Sequence, residues 1–468
     1  VQRAEAKRAL MAIQTTPAKI NERSRVWKAP GKTSSESRRR FILGATTVFS
    51  VLYYYRPEDF IQPLAYIPMA KISGGIGFFA LLVGLTGGGR VKIPRAIKIL
   101  WLLLLQMTLC IPTAIWTGGA FHTVFDRFSK AVVVAMLMSM VIVQVREIRK
   151  LLWIQVSAVT LVTFFSIALR HYAPDGRLTG IQNGVLSNPN DLAANIAISF
   201  PVGLAFLLYA RGFKKVIWGL ALAIMSLGVV LTGSRSGLLA LIISIIVCVW
   251  EYGIQGKRRQ LVVVTIVACV MGFGIAMSSA HYRARVESIV LGNIEGSGDK
   301  GSLEARKQLL KESVMVALTH PVFGIGPGCF AVMDANWRVA HNSYTELAAE
   351  AGILALILFL LAIGAAFQNM AQVRKSDKYK DPEFKLFAQA LWAGLAAYLA
   401  GGMFASVEYN LYPYFVIGFS CALVRIASMP LPVHGGEDSE PAWSKVGFAS
   451  GRRPRALWSQ LTRPGSSV

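Results

Sequence analysis

Charged residues are scarce in this sequence of 468 residues: only 16% are Asp, Glu, Lys or Arg, whereas 54% are hydrophobic. A soluble chain of this size would carry roughly 25% charged residues. The mean hydropathy is +0.49, and apolar runs long enough to span a bilayer recur along the chain. The shortage of charge therefore excludes an ordinary soluble protein and predicts an all-α polytopic membrane protein.

Cysteine is also scarce, and its distribution gives no disulfide framework. Four of the five cysteines, Cys110, Cys248, Cys269 and Cys421, sit in apolar runs, and Cys329 is alone in a loop. We expect all five to be packing residues.

Cofactor motifs are missing as well. No second histidine or cysteine stands at metal-ligand spacing from His341, and His320, which precedes Pro321, fits a turn. The stretch Gly324-Ile-Gly-Pro-Gly328 lacks the strand–turn–helix context of a nucleotide-binding loop, so a rigid turn is the simpler interpretation. We therefore predict neither a bound metal nor a cofactor.

Acidic residues are outnumbered: 49 Lys and Arg stand against 25 Asp and Glu, a formal net charge of +24. Such an excess could indicate nucleic-acid binding, but these cations cluster in the tails and in alternate short loops. That distribution follows the positive-inside rule of membrane proteins. We predict contact with membrane lipids and no nucleic-acid partner.

The two ends of the chain are polar and basic. Residues 1–40 lack the early apolar core of a signal peptide. Residues 428–468 are rich in Pro, Gly and Ser. We expect both to be cytoplasmic tails, the second one disordered, with a membrane domain at 41–427 between them.

About twelve transmembrane helices are expected in the membrane domain, because the distribution of Lys and Arg favours an even number with both termini in the cytoplasm. The predicted spans are 41–55, 64–85, 97–116, 129–145, 151–169, 191–210, 215–231, 236–250, 261–280, 346–367, 386–404 and 410–427. A long outer loop, 281–345, connects the ninth and tenth spans. Within it, 303–319 is predicted to be an amphipathic helix on the membrane surface, with one face formed by Leu303, Leu310, Val314 and Ala317 or Leu318.

A polar segment, Ala340-His341-Asn342, leads directly into the tenth span. Ser343 and Glu346 have the spacing of a capping box, so the helix is predicted to begin there. His341 and Asn342 would then lie at a helix N-terminus, whose positive end suits a phosphate. His341, with an ordinary pKa of about 6.5, is a candidate general base. The plainer alternative is a polar surface histidine.

Three cations are further candidates. Arg235 lies in a very tight turn, 232–237, between two apolar spans, where a guanidinium marks either a function or an anchor to lipid headgroups. Arg306 lies on the loop helix, where a solvated cation is the plainer interpretation. Lys71 interrupts the second span, and it either reaches a membrane face or points into the bundle; both remain open.

Asparagines gather in the outer loop between the fifth and sixth spans. Asn183, Asn188 and Asn190 follow Arg177 there, and amide groups suit sugar hydroxyls. Cations in a partly dry site would bind a pyrophosphate strongly. A candidate base, a pyrophosphate site and sugar-binding amides on one membrane face are compatible with glycosyl transfer.

These motifs, in this order, resemble those of the O-antigen ligase family, a bacterial superfamily that includes O-antigen polymerases and protein O-oligosaccharyltransferases. The resemblance covers 177–366. Its pieces are Arg177-Leu-Thr-Gly, Asn188-Pro-Asn-Asp, Thr232-Gly-Ser-Arg-Ser-Gly, Arg306 before His320-Pro-Val-Phe-Gly-Ile-Gly-Pro-Gly, His341-Asn-Ser-Tyr and Glu350-Ala-Gly. Ala305 and Ala355 stand where the family often has glycine, which leaves the subfamily open.

The resemblance implies a fold similar to that of C-type membrane glycosyltransferases, with a long periplasmic loop over the site, in the bacterial inner membrane. It implies a metal-independent, inverting transfer of a glycan from undecaprenyl pyrophosphate to an acceptor hydroxyl on a glycan or a lipid A–core. Arg235 and Arg306 would hold the pyrophosphate, and His341 would orient or deprotonate the acceptor. Supporting roles would fall to Arg177, Asn188, Asn190, Asn342, Glu350 and Lys71.

Two alternatives remain at this point. Within the class, a polymerase of O-antigen or exopolysaccharide would use another lipid-linked unit as the acceptor. From a different class, a transporter of lipid-linked saccharides would be expected to show repeat symmetry and polar groups near the midplane. No internal repeat is found, and the polar motifs gather on one face.

Overall fold

Long apolar stretches separated by short polar turns determine the architecture, because each apolar stretch satisfies its backbone hydrogen bonds internally as a helix. In this computed structural model the described residues are 34–55, 69–85, 93–174, 176–180, 188–258, 260, 297–334 and 337–429. They contain no β-structure beyond one isolated antiparallel bridge between Tyr172 and Leu178. The predicted all-α class is confirmed.

The helices are numbered here in chain order. They are α1 Ser34–Tyr55, α2 Met69–Leu85, α3 Arg95–Leu109, α4 Thr117–His122, α5 Ser129–Val141, α6 Val145–Ala168, α7 Pro189–Tyr209, α8 Phe213–Thr232, α9 Arg235–Cys248, α10 Ser297–Thr319, α11 Phe330–Met333, α12 Ser343–Val373, α13 Pro382–Gly402 and α14 Tyr412–Ser428. Short 3₁₀ turns lie at Ile111–Thr113 and Asp377–Lys380, and π-helical turns lie at Thr123–Phe128 and Val249–Ile254.

Every predicted span except the ninth coincides with one of these helices, and the ninth, 261–280, lies outside the described residues. Six helical stretches of the described chain are long and apolar enough to cross a membrane. They are Arg95–Thr113, Val145–Ala168, Pro189–Tyr209, Phe213–Thr232, Arg235–Ile254 and Ser343–Val373. A multi-pass membrane protein is therefore supported, while the number twelve stays a prediction.

Helix packing produces a large core in the described residues up to Ser428, and a smaller cluster of buried side chains lies where α10 packs near the start of α12. Helix α13 packs against α7 and α9, while α12 packs against α3 and α14. Large side chains such as Phe359, Phe387 and Phe415 are fully buried between them. The outer faces remain apolar: Val216 and Leu220 on α8 are 63% and 61% exposed. Such faces are suited to lipid contact.

One end of the bundle gathers the starts of α7, α9 and α12, and we call it the site end. The start of α9 lies on α7, because a Cβ on Gly237 would be 2.2 Å from Cβ of Ala193. The C-terminal end of α13 lies beside the start of α12, since the same construction at Gly402 lies 3.6 Å from Oγ of Ser343. The polar motifs of the sequence meet here.

The opposite end is closed by ion pairs. Arg39 donates to Glu147 over 2.9 Å. Arg149 pairs with Glu383, which lies near the start of α13. These pairs join helices that enter from the predicted cytoplasmic side.

Helix α10 confirms the predicted helix at 303–319. It does not lie only on the membrane surface, because one of its sides packs against the protein. Leu309, Ser313 and Val316 are buried, and the helix packs against α12. The predicted apolar face lies on the other side: Leu310 and Val314 are 40% and 42% exposed. Leu318 is exposed with them, Ala317 is buried, and the side chain of Leu303 lies outside the described residues. The helix is therefore held by the protein on one side and leaves its apolar side open.

Candidate functional site at one end of the bundle

The tight turn predicted at 232–237 is present. Helix α8 ends at Thr232, and α9 begins at Arg235 after only Gly233 and Ser234. Ser234 is the N-cap, because its hydroxyl accepts a hydrogen bond of 3.1 Å from the Gly237 amide. Arg235 is thus the first residue of a membrane-spanning helix, exposed at the site end, where its charge adds to the positive end of the helix dipole.

Arg177 holds this turn from outside. Its Nε donates to the carbonyl oxygen of Thr232 over 2.8 Å, and a terminal guanidinium nitrogen donates to Oδ1 of Asn190 over 2.9 Å. The same Asn190 oxygen accepts a hydrogen bond of 2.8 Å from the hydroxyl of Ser234. Asn188 caps the start of α7, since its side-chain oxygen accepts a hydrogen bond from the backbone N–H of Asn190. These residues fix where α9 begins and hence where Arg235 stands; a contact with substrate stays a prediction.

The predicted capping box at Ser343 and Glu346 is wrong, although α12 does begin at Ser343. Asn342 is the N-cap: its Oδ1 accepts from the amides of Tyr344 and Thr345 at 3.0 and 3.1 Å. Glu346 instead accepts from the amide of Ala340 over 3.0 Å. Asn342 caps the helix instead of Ser343, because the Ser343 hydroxyl makes hydrogen bonds to another segment of the chain.

The connection between α13 and α14, residues 403–411, holds the start of α12. Ser343 donates from its hydroxyl to the carbonyl oxygen of Ala405 over 2.7 Å and accepts from the Val407 amide over 2.8 Å. Asn342 donates to the carbonyl oxygen of Met403 over 3.1 Å, and Ser406 donates to Glu346. The segment that carries His341 is therefore fixed on both sides.

His341 has two unusual features. Its backbone is in the left-handed region, with φ of 55°, which is rare for a residue other than glycine. Burial, followed by the positive charges of Arg306 and Arg338, lowers the pKa of His341 from 6.5 to about 4. The imidazole is consequently neutral at pH 7, and Arg306 of α10 lies within electrostatic reach of it.

The Gly-Pro-Gly turn, residues 324–328, packs against a break in α12. At Gly352 the helix has φ of 84°, and a Cβ there would lie 2.3 Å from the carbonyl oxygen of Val322. At Gly324, with φ of 62°, a Cβ would lie 2.3 Å from the carbonyl oxygen of Glu350. Only glycine fits at either position, so the turn and the break support each other.

Glu350 closes this arrangement. Its carboxylate accepts hydrogen bonds from the amides of Gly328 and Phe330 at 2.7 and 2.9 Å and from the hydroxyl of Tyr409 at 2.6 Å. The side chain is 1% exposed. Its position in the motif is therefore explained by the backbone of the turn that it holds.

A buried carboxylate that the sequence analysis missed lies beside it. Glu408 is 2% exposed, and its Oε2 finds no hydrogen-bond partner in the described part of the chain. Burial, followed by the charge of Glu350, raises the pKa of Glu408 to about 8. The next residues reach neighbouring elements: Tyr409 binds Glu350, and Asn410 donates to Asp191 over 2.9 Å. A signal was available, since Glu408-Tyr-Asn410 is a polar tripeptide in a short connection on the predicted outer side.

Lys71 lies on α2, and its side chain is 56% exposed. It pairs with Asp126 over 2.8 Å, and Asp126 also accepts from Lys130 over 2.9 Å. This pairing fits either of the two alternatives, and both stay open. A role for Lys71 with substrate stays a prediction.

Metal ligands do not converge in the residues that the structure describes: no group of three His, Cys, Asp or Glu side chains is arranged to hold an ion. Four cysteines of this part, Cys110, Cys248, Cys329 and Cys421, are free and buried, as expected for packing residues. Cys269 and Asn183 lie outside the described residues.

The fold and the site together define a multi-pass α-helical membrane protein with a partly buried polar site at one end. Residues 220–360 match the family model described as O-antigen ligase. Over these residues the chain is similar to O-antigen ligases, as the motifs predicted. A search of curated proteins finds no match.

The matched region contains Arg235, Arg306, His341 and Glu350. Arg177, Asn188 and Asn190 precede it, but the hydrogen bonds of Arg177 and Asn190 tie them to the α8–α9 turn inside it. Arg338 and the 403–411 connection were missed by sequence reasoning, because neither forms part of a spaced motif.

Proposed function

We propose that the protein transfers a glycan from undecaprenyl pyrophosphate to an acceptor hydroxyl at the periplasmic face of the inner membrane, with inversion and without a metal. One observation carries the proposal. Within the region that matches the O-antigen ligase model, the helix start that bears Arg235 and the segment that bears His341 both lie beside the end of α13, and the charge of Arg306 acts on that histidine.

Arg235 and Arg306 are proposed to bind the donor pyrophosphate. A guanidinium at the first residue of a helix combines a delocalised charge with oriented backbone amides, and both favour an anion. As the glycosidic bond breaks, negative charge grows on the leaving pyrophosphate. Donors that are already in place stabilise this charge more in the transition state than in the ground state.

His341 is proposed to act on the acceptor. The acceptor oxygen attacks the anomeric carbon, the bond from that carbon to the pyrophosphate oxygen breaks, and undecaprenyl pyrophosphate leaves with the electron pair. The hydroxyl proton passes to the neutral imidazole. A bound pyrophosphate would offset the guanidinium charges and raise the pKa of His341 toward the range of an effective base.

The identity of the acceptor distinguishes a ligase from a polymerase. A ligase would use a terminal acceptor such as a glycan or a lipid A–core, whereas a polymerase would use a second lipid-linked unit. The geometry is common to both, so the acceptor has to be determined by assay.

The test is release of undecaprenyl pyrophosphate by purified protein from a labelled lipid-linked glycan, with EDTA present and a panel of acceptors. We expect His341→Ala and Arg235→Ala to lower the rate by about 10²-fold or more. Arg211→Ala is the matched control, because Arg211 is an exposed arginine between α7 and α8 at the other end of the bundle.

Three outcomes would contradict the proposal. Loss of activity when EDTA is added would show that the reaction requires a metal. Equal losses of activity in Arg211→Ala and in the site variants would contradict the assignment of His341 and Arg235 to the site. A wild type that moves the lipid-linked glycan across liposomes without releasing undecaprenyl pyrophosphate would be a transporter.

A further inference from the structure

Two tryptophans are exposed at the site end. Trp116, just before α4, is 48% exposed, and Trp337, four residues before His341, is 63% exposed. Their ring centroids lie 6.0 Å apart, and the ring planes are nearly perpendicular, at 87°. The two indoles form a corner with much of its aromatic surface open, which we call the tryptophan corner.

The tryptophan corner is held by the surrounding backbone. The indole of Trp116 lies on Gly119, where a Cβ would be only 2.2 Å from its ring. Trp337 has φ of 56°, a left-handed conformation, and its amide donates to the carbonyl oxygen of Asp334 over 2.9 Å. Exposed aromatic rings in constrained positions are typical of binding surfaces, since little entropy is lost when a ligand stacks on them.

A cavity of about 280 Å³ adjoins the corner. Its lining residues are Glu312, Met315, Val316, Phe330, Met333 and Asp334. Asp334 belongs both to this cavity and to the contact with Trp337. On the other side, the thiol of Cys329, next to the cavity residue Phe330, donates to the carbonyl oxygen of Trp116 over 3.5 Å.

The chemistry of this surface favours a neutral sugar. Carboxylates such as Glu312 and Asp334 accept hydrogen bonds from hydroxyl groups, and flat aromatic rings pack against the apolar face of a pyranose. The volume lies just below the roughly 300–1,000 Å³ of pockets for drug-sized ligands, so it suits one sugar unit. Asp334 is paired with Arg338, so the carboxylate of Glu312 is the group that disfavours a pyrophosphate on this surface.

We propose that the tryptophan corner and the adjoining cavity bind a pyranose unit of the saccharide acceptor and present its hydroxyl to His341. The inference rests on the proposed function and adds an acceptor subsite to it. Arg338, adjacent to Trp337, supports the placement because it pairs with Asp334 at 2.8 Å, and its charge acts on His341. Tryptophans also anchor proteins at bilayer interfaces, but an anchor gives no reason for a neighbouring cavity lined by Glu312.

Binding is tested without turnover. Saturation-transfer NMR would be recorded on purified protein in detergent with a mixture of methyl pyranosides. We expect transfer to at least one pyranoside in the wild type, loss of that signal in Trp337→Ala and Glu312→Gln, and partial recovery in Trp337→Phe. Trp250→Ala is the control, because Trp250 is 53% exposed and lies on the π-helical turn that follows α9.

Steady-state kinetics then assign the sugar to the acceptor. We expect Trp337→Ala to raise the KM for the acceptor by about tenfold, because one aromatic stacking contact is lost, and to leave the KM for the donor unchanged. A wild type that transfers glycan while Trp337→Ala keeps both its KM for the acceptor and its pyranoside signal would overturn the acceptor subsite alone. Pyranoside binding that depends on Trp337 in a protein without transferase activity would overturn the proposed function alone. Activity lost in vesicles but retained in detergent would identify Trp337 as an interfacial anchor.

Discussion

A histidine beside two guanidinium groups loses its proton readily, because the charged form is repelled and poorly solvated. Arg306 and Arg338 create this situation around His341. The residue is therefore prepared to accept a proton only after an anion has entered the site. At the scale of single residues, this coupling would prevent the base from acting before the donor is bound.

The coupling predicts a pH effect of Arg338. Replacing Arg338 by Gln removes one positive charge, so the pKa of His341 rises from about 4 toward its ordinary 6.5. If neutral His341 is required, the acid limb of kcat/KM moves to higher pH, since that profile reports the free enzyme. Arg338→Lys keeps the charge and should keep the limb. An acid limb at the same pH in all three proteins would contradict a role for His341 as the base.

Glu408 predicts a second pH effect, on stability. Its pKa is raised from 4.5 to about 8, so the folded protein holds a proton that the unfolded chain releases above pH 4.5. The resulting stabilisation is full below the unfolded pKa and is lost as pH rises through about 8. In Glu408→Gln the unfolding temperature in detergent should therefore fall less between about pH 6 and 9 than in the wild type.

The matched control for this effect is Asp377→Asn, because the Asp377 side chain is 76% exposed at the other end of the bundle. It should keep the alkaline loss of stability seen in the wild type. If Glu408→Gln shows the same loss, the carboxyl group of Glu408 is not protonated in the folded protein.

At the scale of elements, the break in α12 and the Gly-Pro-Gly turn form one unit. Glu350 accepts from two amides of the turn and its vicinity, and Gln106 of α3 donates to the carbonyl oxygens of Val322 and Ala351 at 2.7 and 3.1 Å. The break frees carbonyl groups of the helix, and Gln106 satisfies one of them. The first segment of α12, which follows His341, is thereby set at an angle that an unbroken helix would not give.

Gly352→Ala tests this unit. A methyl group at φ of 84° is strained and would meet the carbonyl oxygen of Val322 at 2.3 Å, so we expect a loss of about 1–3 kcal/mol in stability. Gly364→Ala on the same helix is the control, because a Cβ there would meet nothing within 4 Å. Thermal unfolding of both variants in detergent gives the comparison. Equal unfolding temperatures would show that the break does not depend on glycine.

The sequence was informative where a local pattern determines the element. Apolar runs located the described helices that match predicted spans, and a short polar stretch between two of them located the turn before Arg235. The helix start at Ser343 was also predicted, but its cap was not, because the Ser343 hydroxyl is used by Ala405 and Val407, which are distant in sequence. Contacts of this kind leave no local spacing to detect.

The same reason explains what was missed in the site. Arg338 acts on His341 through space, and Glu408 is buried by elements from other parts of the chain. Motif residues such as Asn190 and Glu350 were found by resemblance, but their hydrogen bonds to the framework could be recognised only in the folded chain.

At the scale of the whole molecule, polarity is distributed unequally between the two ends. The site end carries a histidine, buried carboxylates and exposed tryptophans, whereas the other end carries ion pairs that join helices. A transporter that alternates access needs a path with binding groups near the midplane. An enzyme that meets its lipid-linked donor and its acceptor on one face needs its reactive groups at one end, and His341, Arg235 and Glu408 all lie at the site end.

The orientation of that asymmetry can be measured directly. The predicted topology places the site end in the periplasm and the Asp377–Lys380 turn in the cytoplasm. Lys311 on α10 is exposed, and Lys380 is 82% exposed, so a cysteine at either position would be accessible. We expect a membrane-impermeant maleimide to label Lys311→Cys in intact spheroplasts and to label Lys380→Cys only after lysis. Four of the five native cysteines, Cys110, Cys248, Cys329 and Cys421, are buried and should contribute little background, and Cys269 is replaced by Ser in both variants. The reverse labelling pattern would place the site in the cytoplasm, where a periplasmic acceptor could not reach it, and the proposed transfer would then be excluded.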